Sequence, residues 1–163
     1  MRRQPAPTFV FADLVGYTTL TEQEGNEVAA RVARDFRSKM GTLSRDHGAW
    51  RVKSMGDGVM IWAPKAADAV ALAAATIEQV GSHPDLLPVR VGVHTGPAVM
   101  QGCDWYGSAV NVAARLASEA RPNEALVSAA TREAAQDGDA ALADRRELTL
   151  RGVARPVSAW TLT

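Results

Sequence analysis

What is scarce narrows this chain first. It has one cysteine, Cys103, so no internal disulfide framework can hold it together, and this usage fits a reducing compartment. It has no net charge, because 18 basic residues balance 18 acidic ones. A nucleic-acid or polybasic membrane partner therefore finds no general electrostatic footprint, although a local basic site for a small phosphate ligand is compatible with neutrality. It has no apolar run long enough to span a bilayer: the longest Ala-rich stretch, AADAVALAAATI, contains Asp68. No internal repeat, low-complexity segment or linker is visible. The opening MRRQPAPTFVFADLVG places two arginines ahead of apolar residues, faintly like a leader. Pro5 and Pro7 precede that run and Asp13 interrupts it, so it reads as a short tail, residues 1–7, entering a strand. The expectation is a cytoplasmic protein with one domain over residues 8–163, binding neither membrane nor nucleic acid.

What is present supports a packed core. Nearly half of the 163 residues are apolar, which argues against disorder. TFVFADLVG (8–16) is rich in β-branched and aromatic residues and reads as a buried strand. From about residue 22 to 45 the period changes: Val28, Val32, Phe36, Met40 and Leu43 form the stripe of one long amphipathic helix. AWRVKSM and GVMIWA flank Gly56-Asp57-Gly58, and the Asp-Gly step signals a hairpin. Pro64 ends its second strand, and 66–80 is a helix closed by Gly81. Residues 87–100 form a strand that turns at Thr95-Gly96-Pro97, and 108–120 a helix with Ser108 as N-cap. EALVS is a short strand, AATREAAQ a short helix, and RRELTLRG with RPVSAWTLT a terminal hairpin. This order predicts an α+β fold: a ferredoxin-like βαββαβ core, an antiparallel or mixed sheet with helices on one face, and additional C-terminal α/β elements.

Several polar residues interrupt this pattern. Asp13 lies inside an apolar run, where a carboxylate is costly unless compensated. It either caps a short helix starting near Tyr17 or ligates a metal. The following turn, Leu14, Val15, Gly16, Tyr17 and Thr18, opens a helix in a way that suits a phosphate. Asp57 is either a turn residue or a second metal ligand; two carboxylates beside a phosphate-binding turn suit Mg²⁺ or Mn²⁺. Asn111 and Arg115 share one helix face, as a solvated stripe or as a pair reaching a ligand. Asp104, in GCDWYGS, is a loop residue by default. His94 reads as a strand histidine with a local partner. His47 and His83 lack partners at zinc spacing, and Cys103 is a bystander.

Together these pieces resemble a known family, the class III nucleotidyl cyclase catalytic domain of the bacterial adenylyl cyclase type. FADLVGYTTL resembles its first metal-binding segment, VKSMGDGVM its β-hairpin, VRVGVHTGPAV its intervening strand and YGSAVNVAARL its later helix. The likeness covers roughly residues 8–162. It implies that Asp13 and Asp57 bind two divalent cations, Mg²⁺ or Mn²⁺, and that Lys53 and Asp104 read the purine. It implies that Asn111 orients the ribose and Arg115 stabilises the transition state, with Arg151 a candidate phosphate contact. It further implies a head-to-tail homodimer with shared sites: one subunit gives the aspartates, the other Lys53, Asp104, Asn111 and Arg115. The expected activity is conversion of ATP to 3′,5′-cyclic AMP and pyrophosphate. The alternatives are guanylyl cyclase and a silent nucleotide-binding regulatory module. The segment from Gly96 to Tyr106 is shorter than the dimerisation arm of many mammalian relatives. The Gly-Gly-acidic hairpin of diguanylate cyclases is replaced by MGDG.

Overall fold

The computed structural model describes residues 4–136 and 140–163; the first three residues of the expected tail lie outside the described residues. The chain runs β1 (Thr8–Leu14), α1 (Tyr17–Glu24), α2 (Asn26–Asp46), β2 (Trp50–Met55), β3 (Gly58–Ala63), α3 (Ala66–Gln79) and β4 (Val89–Thr95). It continues with β5 (Val99–Gln101), β6 (Asp104–Tyr106), α4 (Ser108–Glu119), β7 (Glu124–Ser128), α5 (Ala129–Ala135), β8 (Leu142–Leu148) and β9 (Val157–Leu162). Seven strands form one mixed sheet in the order β2-β3-β1-β4-β7-β9-β8, in which only the β4–β7 pair is parallel. Its first four strands have the ferredoxin-like arrangement expected. β5 and β6 form a separate two-stranded ribbon.

β1 is buried on both faces because apolar residues occupy both phases of its alternation. Val10, Ala12 and Leu14 pack against Phe36, Met40 and Leu43 of α2 and against α3. Phe9 points the other way, with Met60, and meets Ala109 and Ala113 of α4. Helices therefore cover both faces of the sheet, not one. The continuous run FVFADL carried that information: a strand with one wet face would alternate.

Four local readings change. The long helix is two, because Gly25 takes φ 89° and ψ 169°, a conformation costly for any other residue, and breaks α1 from α2. The buried stripe of α2 runs through Ala29 and Ala33 before Phe36, leaving Val28 and Val32 half-buried at its margin. Small residues let the helix approach the sheet. The N-cap of α4 is Gly107, not Ser108. The two-residue turn of the first hairpin is Gly56-Asp57, since Met55 pairs with Gly58. Gly56 alone has positive φ there, at 57°, as a type II′ turn requires.

A buried hydroxyl chain ties β4 to β1, β7 and α5. Thr8 bonds Thr95, Thr95 donates to Thr131, Thr131 donates to the Val93 carbonyl, and Ser128 caps α5 through the Thr131 N–H. His94 Nδ1 meets Ser128 Oγ at 2.7 Å. With Ser128 donating, the imidazole must be neutral at Nδ1, and burial lowers its pKa to about 4. Because the folded value lies below the unfolded one, His94 stabilises the fold fully above pH ~6.5 and loses that contribution as pH falls towards ~4, at most about 3 kcal/mol in all. Urea titrations across this range should show the loss in wild type and a flatter profile in His94→Gln. Identical profiles would remove His94 from the acid response.

Candidate active site

Asp13 is the penultimate residue of β1, on the α4 side of the sheet, in register with Gly58 of β3 and Arg90 of β4. The Arg90 guanidinium donates to Asp13 Oδ2 at 2.8 Å and to the Ser118 carbonyl at the end of α4. Asp13 Oδ1 is buried without a hydrogen-bond partner. Asp13 is not a helix cap: α1 starts at Tyr17 behind Gly16 and has no side-chain cap. Burial pushes the Asp13 carboxyl above its usual value, Arg90 pulls it back, and the charge of Asp57 adds to the rise. That electrostatic cross-talk follows from the tight hairpin turn, which sets Asp57 immediately before the residue paired with Asp13. A buried carboxylate oxygen without a donor, beside a second carboxylate, is a donor set that fits a hard divalent cation. Among the described residues no cluster of three or more His, Cys, Asp or Glu side chains forms a closed metal cage, so such a cation would rely on other oxygens as well.

The turn after β1 is more selective than its sequence indicates. The Leu14 and Val15 N–H groups are consumed by the carbonyls of Asp57 and Pro88, at 3.0 and 2.7 Å. Leu14 is also buried. Gly16, in the left-handed conformation, then turns the chain into α1, whose first N–H groups at Tyr17 and Thr18 have no side-chain cap. The phosphate-suited part of the segment is thus Gly16 to Thr18, at the positive end of a helix.

Lys53 pairs with Asp104, not with Asp57. Its ammonium donates to Asp104 Oδ2 at 2.7 Å, and the Trp105 N–H donates to Asp104 Oδ1 at 2.8 Å. Those donors, the Lys53 ammonium first, hold the Asp104 carboxyl below its usual range. A register shift makes the pair possible. Trp50 faces Trp62 and Arg51 faces Ile61, but Lys53 faces Met60. One extra residue in β2 therefore moves Lys53 onto the face of Met60, towards β6, where unbroken alternation would have sent it to the opposite face.

Asn111 and Arg115 lie on the exposed side of α4, one turn apart, while Val112, Ala113, Leu116 and Ala117 anchor the helix. Neither side chain has a hydrogen-bond or ion-pair partner among the described residues. The same holds for Arg151, exposed in the turn after Leu150. Within one chain the candidates thus fall into three pairs, Asp13 with Asp57, Lys53 with Asp104 and Asn111 with Arg115. No hydrogen bond or ion pair among the described residues joins one pair to another. Arg90 escaped the sequence reading. Its signal was a charged residue inside the apolar strand VRVGV, but its meaning depends on the β1–β4 register.

The sequence model of the adenylate and guanylate cyclase catalytic domain matches residues 1–163. A pH-sensitive adenylate cyclase of Mycobacterium tuberculosis is 37% identical over 151 residues, 91% of this chain and 36% of the relative. An adenylate cyclase of Streptomyces griseus is 33% identical over 82% of this chain and 34% of its own length. This chain therefore spans about a third of the length of these curated relatives. The crystal structure of an adenylyl cyclase from P. aeruginosa superposes with a TM-score of 0.82 at 22% identity, over 99% of this chain and 95% of that one, a likeness of fold. No helix among the described residues is long and apolar enough to cross a membrane.

Proposed function

We propose that this chain, which belongs to the adenylate and guanylate cyclase catalytic domain family, is an adenylyl cyclase that converts ATP to 3′,5′-cyclic AMP and pyrophosphate. The observation that carries the choice of base is the Lys53–Asp104 pair, held at 2.7 Å. Adenine offers an N6 amino donor and an N1 acceptor. Asp104 accepts from N6, and Lys53 donates to N1 or fixes Asp104. Guanine inverts this edge, so its O6 would meet Asp104 acceptor to acceptor, leaving buried polar groups unpaired.

In this reading Asp13 and Asp57 hold two divalent cations, Mg²⁺ or Mn²⁺. When bound, these lower the pKa of the ribose 3′-hydroxyl and neutralise the triphosphate. The N–H groups of Gly16 to Thr18 receive phosphate oxygens at the α1 terminus. Asn111 holds the ribose so that the 3′-hydroxyl lies in line with the α-phosphorus. Arg115 places positive charge where the pentavalent phosphorus gathers negative charge, and Arg151 is a further candidate phosphate contact. The proton leaves through water or a substrate phosphate. The site is completed by a second copy arranged head to tail, and the protein works in the cytoplasm. The shared site is what the family resemblance implies, and it is supported by Asn111 and Arg115 being exposed on α4 with no described partner in their own chain.

Product identification by mass, after incubation with ATP or GTP and Mn²⁺, tests the activity. A protein that turns over neither nucleotide would instead be a silent binding module. For the base, wild type is expected to prefer ATP strongly, and Lys53→Glu with Asp104→Gly to weaken ATP use and admit GTP. Glu can accept from guanine N1–H, and the lost carboxylate no longer repels O6. Equal rates on both nucleotides by wild type, or an unchanged preference in the double variant, would remove these residues from base reading.

A further inference from the structure

β6 is three residues long, yet it carries the carboxylate assigned to the base. The β5–β6 ribbon shares no strand pairing with the seven-stranded sheet; beyond its chain link to α4 through Gly107, side chains hold it there. One link is the Lys53–Asp104 pair. The other is a row of four aromatic rings drawn from four strands. Trp105 of β6 sets its ring against Phe9 of β1, edge to face at 5.5 Å, and against Trp62 of β3 at 5.2 Å. Trp62 in turn stacks on Trp50 of β2 at 5.2 Å, its cross-strand partner. Phe9 is fully buried, so the row is anchored in the core at one end.

Aromatic contacts at these separations attract beyond what area burial alone gives, and their geometry is directional. Here that direction reaches the site through one bond of the main chain. The residue whose ring is clamped is the residue whose N–H donates to Asp104 Oδ1. Lys53, exposed on an edge strand, can follow Asp104 if the ribbon shifts; the ring stack is what ties the ribbon to the core.

We propose that Trp105 is a positioning residue for base selection: its ring, held between Phe9 and Trp62, fixes the short strand so that the Asp104 carboxylate is presented at one depth and angle to the purine edge. This rests on the reading of Lys53 and Asp104 as the base-reading pair. A loosened ribbon lets the carboxylate retreat from guanine O6, so discrimination falls even though both reading residues remain. Catalysis itself depends on Asn111 and Arg115 of α4 and on the aspartates; the ring shares its apolar cluster with Ala109 and Ala113 on the other face of α4, where both catalytic side chains point to solvent.

The test is steady-state kinetics of Trp105→Ala and Trp105→Phe on ATP and GTP at matched Mn²⁺. Trp105→Ala is expected to lower the ATP-over-GTP preference in kcat/KM by roughly tenfold, mainly through a raised KM for ATP. Trp105→Phe, which retains a ring for Phe9 and Trp62, should restore most of it. A merely structural tryptophan would lower the active fraction, reducing kcat for both nucleotides equally and leaving KM and the preference unchanged; that result overturns the proposal. If Trp105→Ala fails to fold, Trp105→Leu keeps the apolar bulk without the aromatic geometry, and the same two outcomes apply to it. Lys53→Glu with Asp104→Gly, measured in parallel, separates the premises. If that double variant leaves the preference intact, the base-reading pair is wrong. If it shifts the preference while neither Trp105→Ala nor Trp105→Leu does, only the role of Trp105 fails.

Discussion

Asp57→Ala and Arg115→Ala proteins are each expected to be inactive alone and active when mixed. In the proposed mechanism Asp57 is a ligand of cations that supply several kcal/mol of transition-state stabilisation, so its removal should abolish turnover, and Asp13→Ala should do the same. In the same mechanism Arg115 places charge at the phosphorus, so its removal should cost about 10²–10³-fold. Both folds should survive. Arg115 is exposed without a described partner, and the Asp57 contact to β1 is made by its main-chain carbonyl, which the substitution retains. In a head-to-tail dimer the intact Asp57 of one variant meets the intact Arg115 of the other, so each mixed dimer has one whole site and one doubly damaged site. Random equimolar exchange should then restore about a quarter of wild-type activity. If labelled subunits exchange and no activity returns, the shared arrangement is wrong. A folded Asp57→Ala protein with near-normal activity alone would remove Asp57 from the metal site.

The sequence carried the strands and the hairpin because their signals are local: the apolar run of β1, the Gly56-Asp57-Gly58 step, and the small and apolar face of α4. It carried Asn111 and Arg115 as neighbours because four residues is a helical turn. The rest depended on non-local pairing. Arg90 meets Asp13 only because β4 lies beside β1 in one register. Lys53 reaches Asp104 only because a residue is inserted in β2, and the apolar pattern of that exposed edge strand is too weak to reveal it. The Leu14 and Val15 N–H groups looked available for phosphate because their acceptors, Asp57 and Pro88, are distant in sequence. Helices on both faces are encoded in β1 alone, because both phases of its alternation are apolar.

Gly92→Ala is expected to be more damaging than a one-carbon change in a strand ordinarily is. Gly92 lies in β4 directly beneath α4. A Cβ there would stand 2.3 Å from the Ala117 nitrogen and 2.4 Å from the Ala113 carbonyl oxygen. These are main-chain atoms of a hydrogen-bonded helix, so no side chain can swing aside; α4 must lift by about 1 Å to reach van der Waals distance. Overpacking of this kind costs about 1–3 kcal/mol or more, and at about 2–4 °C per kcal/mol in a domain of this size that is a fall in Tm of roughly 2–12 °C. The displaced helix carries Asn111 and Arg115, and a misplacement of that size costs about 10²-fold in rate. The folded fraction of Gly92→Ala should therefore show a large loss in kcat. The KM for ATP should change less, because Lys53 and Asp104 stand on β2 and β6 and not on α4. Adding Ala117→Gly should not rescue it, since the clash is with the main chain. Thermal melts and ATP kinetics decide the matter: wild-type Tm together with wild-type kcat in Gly92→Ala would mean that the seating of α4 on β4 does not set the position of Arg115.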